Sequence, residues 1–459
     1  MDQDAKRFLF DLLGTPSPTG VECPVQILMM RELAAYADTV EHDLYGNVMF
    51  GLFGGEGGSG PDPSLPTVMI EAHSDQVGFQ VNRISEEGYI YVEYLGGIDE
   101  VVLPGARVVF VPRRRDDGME PPAAMEPNDT SLVKGVICKK ATHLQKSDEK
   151  NKVPSQDEIW IDIGTTSKEE TERLVRPGDV ATFEVAHRAF ELENRRVTSP
   201  GLDDKAGLWC IARAFKLLAS DRSRLNCNFW AVSSVQEEVG LRGVEPAAYR
   251  INPDVALAVD VVNATDDPAQ GGSGKEAAAG PCVLGKGPTI SGGPNTNPVV
   301  AALLRKAAGG SHGEEELKYQ QLQTSELEGN DSKAMQTTRT GVAVASVGIP
   351  NRAMHTQAEV CDLADMEDTA ELLVRFVRLV GPEVDFRPLR LERDALGHGR
   401  RTGRRSGGDD SRGATPGRQE ENGRGDGSAG NGRSGNGQQR PRRNGERTAK
   451  SGKSNGSGG

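Results

Sequence analysis

Five short runs, spread over almost three hundred residues, place histidine or acid directly after stretches that read as buried strands. They are Ala72-His73-Ser74-Asp75, Leu202-Asp203-Asp204-Lys205, Gln236-Glu237-Glu238-Val239, Val259-Asp260-Val261 and Met354-His355-Thr356. An unpaired buried charge costs on the order of several kcal/mol, so such endings do not suit an ordinary core. They become compatible with one if the side chains converge on metal ions. Histidine and carboxylate ligands without thiolate suit zinc or a similar divalent first-row ion, in a hydrolytic rather than a structural site. In open α/β sheets ligands collect at the carboxyl ends of the strands, so the same feature constrains the fold to an α/β catalytic layer.

The rest of the chain supports that layer and interrupts it once. Amphipathic helices are expected around Ala5–Leu13 and Pro24–Tyr36, and Thr67–Ala72 reads as a buried strand running into His73. From Val77 to about Val185 short β-rich runs alternate with turns: Val77–Ile84, Tyr89–Leu95, Arg107–Pro112, Lys134–Lys140, Glu158–Gly164 and Asp179–Val185. Six strands without an intervening helix predict a small antiparallel barrel inserted in the main domain. The loop Arg113–Asn128 reads as a solvated excursion. Helix and strand then alternate again: a helix from Asp203 to about Ala219, strands at Cys227–Val235, Val255–Val261, near Cys282–Leu284 and at Gly341–Val347, and helices near Pro298–Ala308 and Met366–Val380. The linker Asp266–Gly280 is rich in Gly and Ala. The expected organisation is a mixed-sheet α/β catalytic domain in two parts (1–76 and 189–390), an antiparallel barrel-like insert (77–188) and a tail (391–459).

Charge separates the tail from the body. The net charge is −13, but residues 391–459 hold 15 Lys+Arg against 8 Asp+Glu, leaving 39 against 59, or −20, elsewhere. An acidic body argues against general nucleic-acid binding. The tail is rich in Gly, Arg, Ser and Asn, has no aromatic residue, and is expected to be disordered. No apolar run approaches the ~20 residues needed to cross a bilayer. The start Met1-Asp2-Gln3-Asp4-Ala5-Lys6 lacks an export signal, and the 6 cysteines show no CxxC spacing. Reduced thiols in a soluble cytoplasmic protein are the expectation.

Each motif alone admits a plainer reading. A lone histidine is usually a hydrogen-bonded core residue, Asp203-Asp204 a helix cap, and Glu237-Glu238 a solvated pair. Together they read differently. Asp75, two residues beyond His73 in an extended segment, can hold the far imidazole nitrogen and fix the tautomer that binds metal. Adjacent side chains after the strand Cys227–Val235 point to different sides. One of Glu237 and Glu238 can therefore bind metal while the other stands over the water, as a dinuclear hydrolase requires.

In this order the residues resemble the tetrahedral aminopeptidases, also called glutamyl or deblocking aminopeptidases, which are cytosolic dinuclear metallopeptidases. The likeness runs from about Phe8 to Val380. It rests on Pro18-Thr19-Gly20-Val21-Glu22, Asp43-Leu44-Tyr45-Gly46-Asn47-Val48, His73-Ser74-Asp75-Gln76-Val77-Gly78-Phe79, Gly96-Gly97-Ile98, Lys134-Gly135-Val136-Ile137, Asp162-Ile163-Gly164, Pro177-Gly178-Asp179, Leu202-Asp203-Asp204-Lys205-Ala206-Gly207, Gln236-Glu237-Glu238-Val239-Gly240-Leu241-Arg242-Gly243 and Arg352-Ala353-Met354-His355. The resemblance implies hydrolysis of N-terminal residues from peptides with two divalent ions per chain, Zn²⁺ or Co²⁺. By motif position His73 and Asp260 would hold one ion, Glu238 and His355 the other, and Asp203 would bridge them. Glu237 would be the general base and then acid, and Asp75 would orient His73. It also implies peptide substrates and homo-oligomers built through dimers, up to a dodecamer; from charge and composition no nucleic-acid or membrane partner is expected.

The chain departs from the family at Gln76, where Glu is frequent, at Ala353, where an aromatic residue is common, at Thr356-Gln357 in place of Ser-Pro, and at Asn330-Asp331-Ser332. No proposed ligand is lost. Two other readings compete: a dinuclear-metal enzyme acting on another amide (deacylase or carboxypeptidase-like) or, as some relatives are labelled, an endoglucanase; and an inactive scaffold whose tail binds RNA. Glycosidases usually need only two carboxylates, and the tail lacks the aromatics on which bases stack.

Overall fold

Four parallel strands form the spine: β3 (Thr67–His73), β12 (Asn228–Ser234), β13 (Val255–Asn263) and β16 (Ala343–Arg352). The computed structural model describes residues 1–55, 60–111, 125–147, 149–268, 280–310, 314–325 and 327–389. The expected tail, most of the loop Arg113–Asn128 and most of the linker Asp266–Gly280 lie outside them.

Strands buried on both faces lose the polar alternation of a half-exposed sheet. In β3, Val68, Ile70 and Ala72 join one core cluster and Met69 another on the opposite face, the period-2 alternation of an extended chain. On the first face α4 (Leu202–Ser220) lies over β3 and β13, with α1 (Gln3–Leu13), α2 (Cys23–Leu33), α6 (Pro298–Ala308) and α8 (Leu363–Leu379) around it. Trp209 and Phe215 of α4 are buried there, as a helix that is apolar nearly all round requires. On the second face α5 (Val244–Ile251) and α7 (Ser332–Gln336) cover the smaller cluster.

Antiparallel strands extend the spine at both edges, so the sheet is mixed. β2 (Val48–Phe53) pairs with β12 and carries β1 (Thr39–His42); β17 (Glu359–Asp362) pairs with β16 and carries β11 (Arg196–Ser199) and β10 (Phe190–Glu191). β14 (Thr289–Gly292) and β15 (Gln320–Gln323) branch from β16. The insert is a closed antiparallel barrel in the order β4 (Gly78–Ile84), β5 (Ile90–Leu95), β8 (Ile159–Asp162), β7 (Lys134–Lys139), β6 (Arg107–Val111) and β9 (Val180–Phe183). Phe79, Phe110, Ile137, Ile161 and Phe183 fill it.

Three expectations need correction. A helix, α3 (Lys168–Leu174), does intervene among the barrel strands; it is capped by Ser167 and buries only Thr171, so it has no apolar periodicity to betray it. Cys282–Leu284 is a loop, its cysteine bonded through the main chain to Thr265, and the strand comes later at β14. Asp203 and Asp204 head α4 but are not helical (φ/ψ −78°/105° and −120°/39°), and only Asp204 caps, accepting the Gly207 N–H at 3.0 Å. All six cysteines are free thiols, and among the described residues no helix is long and apolar enough to cross a membrane.

Candidate metal centre

Strand register assembles the site. Ser234 pairs with His73 across β12 and β3, and the Ser74 N–H continues the ladder to the Ser234 carbonyl at 2.8 Å. Asp260 lies on β13, between β3 and β16. The segments after β12 and β16 carry Glu237-Glu238 and His355. His73, Asp203, Glu237, Glu238, Asp260 and His355 all line one cavity of about 1020 Å³ at the carboxyl ends of the spine.

Asp203 stands at its centre. His73 Nε2 lies 3.1 Å from Asp203 Oδ1 and 3.7 Å from Asp260 Oδ1. His355 Nε2 lies 3.1 Å from the other oxygen, Asp203 Oδ2, and 3.5 Å from Glu238 Oε2. Two groups of possible ligands result, His73–Asp203–Asp260 and Asp203–Glu238–His355, each with its donor atoms within 4.8 Å of one another. They share one carboxylate.

Each imidazole is anchored on its far side, which frees Nε2 to face the cluster. His73 Nδ1 is 3.0 Å from the Asp75 carbonyl oxygen, and His355 is held by the main chain of Gly97. The Asp75 carboxylate also approaches Nδ1, at 3.5 Å. That carboxylate serves the neighbouring loop as well, accepting the N–H groups of Glu237 (2.9 Å) and Glu238 (3.2 Å) and the Thr19 hydroxyl (2.8 Å). Glu22 receives the Gly20 N–H at 2.6 Å and a main-chain bond from Gln236; burial first, and then the charge of Asp75, push it up to about 8. Asn47 closes the loop from the other side, accepting from Val235 N–H (3.0 Å) and donating to the Gly243 carbonyl (2.8 Å). The barrel contributes Gly96-Gly97. At Gly96, with φ +85°, a Cβ would stand 3.1 Å from Glu238 Oε2, so only glycine permits this approach.

Four carboxylates and two imidazoles are a poor charge balance for a half-closed space. Burial, opposed by His73 and reinforced by Asp260, Asp331 and Asp203, pushes Glu237 up to about 9. Burial and then Asp203 raise Glu238 well above the usual carboxylate range, and burial raises Asp260. Asp203 moves down, because its bonds to His355 and His73 outweigh burial. For His73 burial is outweighed by Asp203, Asp260 and Asp75, which lift it well above its ordinary value. One oxygen of Glu238 is buried without a partner. Hard and borderline donors, surplus negative charge and an orphaned carboxylate oxygen all fit divalent cations.

A family model described as M42 glutamyl aminopeptidase matches residues 58–372. The chain belongs to that family. It is similar to the lysyl aminopeptidase of Pyrococcus furiosus, at 31% identity over 381 residues, 82% of this chain and 97% of that protein. An aminopeptidase structure from the archaeon Desulfurococcus kamchatkensis shares 31% identity and a TM-score of 0.69 over 83% of this chain and 97% of its own. The Pyrococcus horikoshii TET1 peptidase, described as assembling into a tetrahedron or a large octahedral shell, shares 25% identity and a TM-score of 0.62, covering 78% and 95%. The chain is thus a peptide hydrolase, a metal-dependent aminopeptidase of the M42 family.

Sequence reasoning overlooked Glu359. It opens β17, is 1% exposed, and bonds to the main chains of both Asp203 and His355. Its signal was present as one more acid at the edge of a buried strand, four residues after His355. Glu22 and Asn47 had appeared only as parts of motifs, without a role.

Proposed function

We propose that this M42 peptidase removes N-terminal residues from peptides at a centre holding two divalent ions, Zn²⁺ or Co²⁺. The observation that carries the reading is the division of Asp203 between two donor groups, one oxygen to each histidine. His73 and Asp260 would hold one ion, Glu238 and His355 the other, and Asp203 both. When bound, such a pair supplies Lewis acidity and brings the pKa of water towards neutrality.

The chain's own residues do the rest. Glu237 belongs to neither ligand group, yet it lines the same cavity. Burial and neighbouring carboxylates raise Glu237, an effect that bound cations would offset, so that it could take a proton from the attacking water and pass it to the leaving amine. Asp75 keeps its main chain in place, so the carboxylate meets substrate from a fixed loop. The α-amino group of a substrate would face Glu237 and the neighbouring carboxylates, which favours a free N-terminus over a blocked one. The walls beyond, including Leu241, Val262, Leu322 and Met354, offer apolar surface to the side chain.

Assembly through dimers into a larger homo-oligomer such as a dodecamer is part of the reading, by similarity to the Pyrococcus horikoshii peptidase. A cytoplasmic location agrees with six free thiols. A panel of aminoacyl p-nitroanilides, N-acetylated counterparts and cellulose, assayed with zinc, cobalt and manganese, tests the activity. Cleavage of the free-amine substrates alone is expected; equal cleavage of blocked peptides, or of cellulose, would sink the aminopeptidase reading.

A further inference from the structure

Glu359 is a buried carboxylate that the proposed chemistry does not use. Its Oε2 accepts the Asp203 N–H at 2.8 Å and Asn351 Nδ2 at 3.3 Å, and its Oε1 accepts the His355 N–H at 3.1 Å. Both main-chain groups need an outside partner. Asp203 lies off the helical conformation at the head of α4, so its N–H faces no helical carbonyl. His355 has φ +62° and Ala353 φ +57°, left-handed values that L-residues adopt only when their surroundings impose them. One rigid side chain thus ties the segment carrying the shared carboxylate to a strained turn carrying a histidine.

We propose that Glu359 is a positioning residue for the metal centre, setting the separation of Asp203 from His355 and through it the affinity of the ion these two share with Glu238. The inference rests on the two-ion reading above. Its geometry is specific to a carboxylate. A carboxamide has one acceptor oxygen, so in Glu359→Gln one of the two main-chain N–H groups must face an NH₂ donor. An isosteric change of this kind preserves volume and removes one grip.

The test is calorimetric titration of Zn²⁺ into the chelator-stripped full chain, with the visible spectrum of the Co²⁺ form and a thermal melt of the stripped protein alongside. The wild type should take two equivalents. Glu359→Gln should keep one equivalent tight, weaken the other about 10–100-fold, as loss of partners behind metal ligands usually does, and alter the Co²⁺ bands, with the stripped protein melting as before. Asn351→Ala, which leaves the carboxylate but removes its side-chain donor, should weaken the same equivalent by less. Unchanged affinities in Glu359→Gln overturn the inference. So does an equal loss at both sites together with a lowered melting temperature, which marks a merely structural group. If Glu359→Gln does not fold, Asn351→Ala decides, and unchanged binding there overturns the inference as well. A wild type that takes only one ion overturns the two-ion reading instead, and the effect of Glu359→Gln on that ion still decides the role of Glu359.

Discussion

Replacing Glu237 by Gln separates proton transfer from metal binding. The loop that carries it is held without its side chain. Its N–H bonds to Asp75 Oδ1, Arg242 N–H to the Gln236 carbonyl at 3.1 Å, Gly243 N–H to the Val235 carbonyl at 2.9 Å, and Asn47 spans both ends. Glutamine has the same shape, so the loop should not move. Since Glu237 is in neither ligand group, both ions should stay bound. What is lost is the proton acceptor, worth typically about 10²–10⁴-fold in rate, or roughly 3–5 kcal/mol of barrier. Glu238→Gln should behave in the opposite manner, because Glu238 is in a ligand group with Asp203 and His355 and a neutral amide is a poorer ligand than carboxylate. Turnover of an aminoacyl p-nitroanilide, measured beside metal content by mass spectrometry on the same samples, reads both. Metal lost from Glu237→Gln and kept by Glu238→Gln would show the roles reversed. Near-normal turnover in both would refute the general-base assignment.

Asp75→Asn leaves one oxygen where two accept three hydrogen bonds; hydrogen bonds to a charged group are worth about 1.5–3 kcal/mol each, so turnover should fall about 10–100-fold, as for other partners behind metal ligands, and wild-type turnover would contradict the loop-holding role. Asp365 receives the N–H groups of Gly285 and Gly287 at 2.7 Å each, yet burial raises it to about 6. A raised acid binds its proton more tightly in the native state, so its stabilisation is full below about 4 and is lost as pH rises through about 6. Chemical denaturation across that window should therefore show a smaller fall in stability for Asp365→Asn than for the wild type; identical slopes would refute it. A chain ending after Leu389 retains every residue of the centre and should keep full turnover and the same particle size by light scattering; dissociation would show that the remaining residues contribute to assembly.

The cluster of candidate ligands was legible because most of them sit in or just after buried strands, and strand-then-acid is a local pattern. His73 ends β3, Glu238 and His355 follow β12 and β16, and Asp260 interrupts the apolar run of β13. Roles that depend on distant partners left little trace. Glu359 would act through a main-chain N–H 156 residues away, and an acid at the edge of a buried strand is all that the run Glu359-Val360-Cys361-Asp362 shows of it. The spacing of Asp75 marks it as a partner for an imidazole, but its carboxylate also holds a loop whose path only the folded chain defines. In the fold, the spine and the barrel strands followed from apolar runs and turns. The edges did not: β1 alternates half-buried and exposed residues, β10 is exposed throughout, and α3 is almost wholly polar. Elements that bury little carry little pattern.

The central claim is that one carboxylate, Asp203, joins two metal sites. Crystals of the zinc- or cobalt-loaded protein, with diffraction collected on either side of the metal absorption edge, test it most directly. The account predicts two anomalous peaks per chain, one against His73 and Asp260, the other against Glu238 and His355, each in contact with a different oxygen of Asp203. A single peak, or two peaks with Asp203 bound to neither, would contradict it.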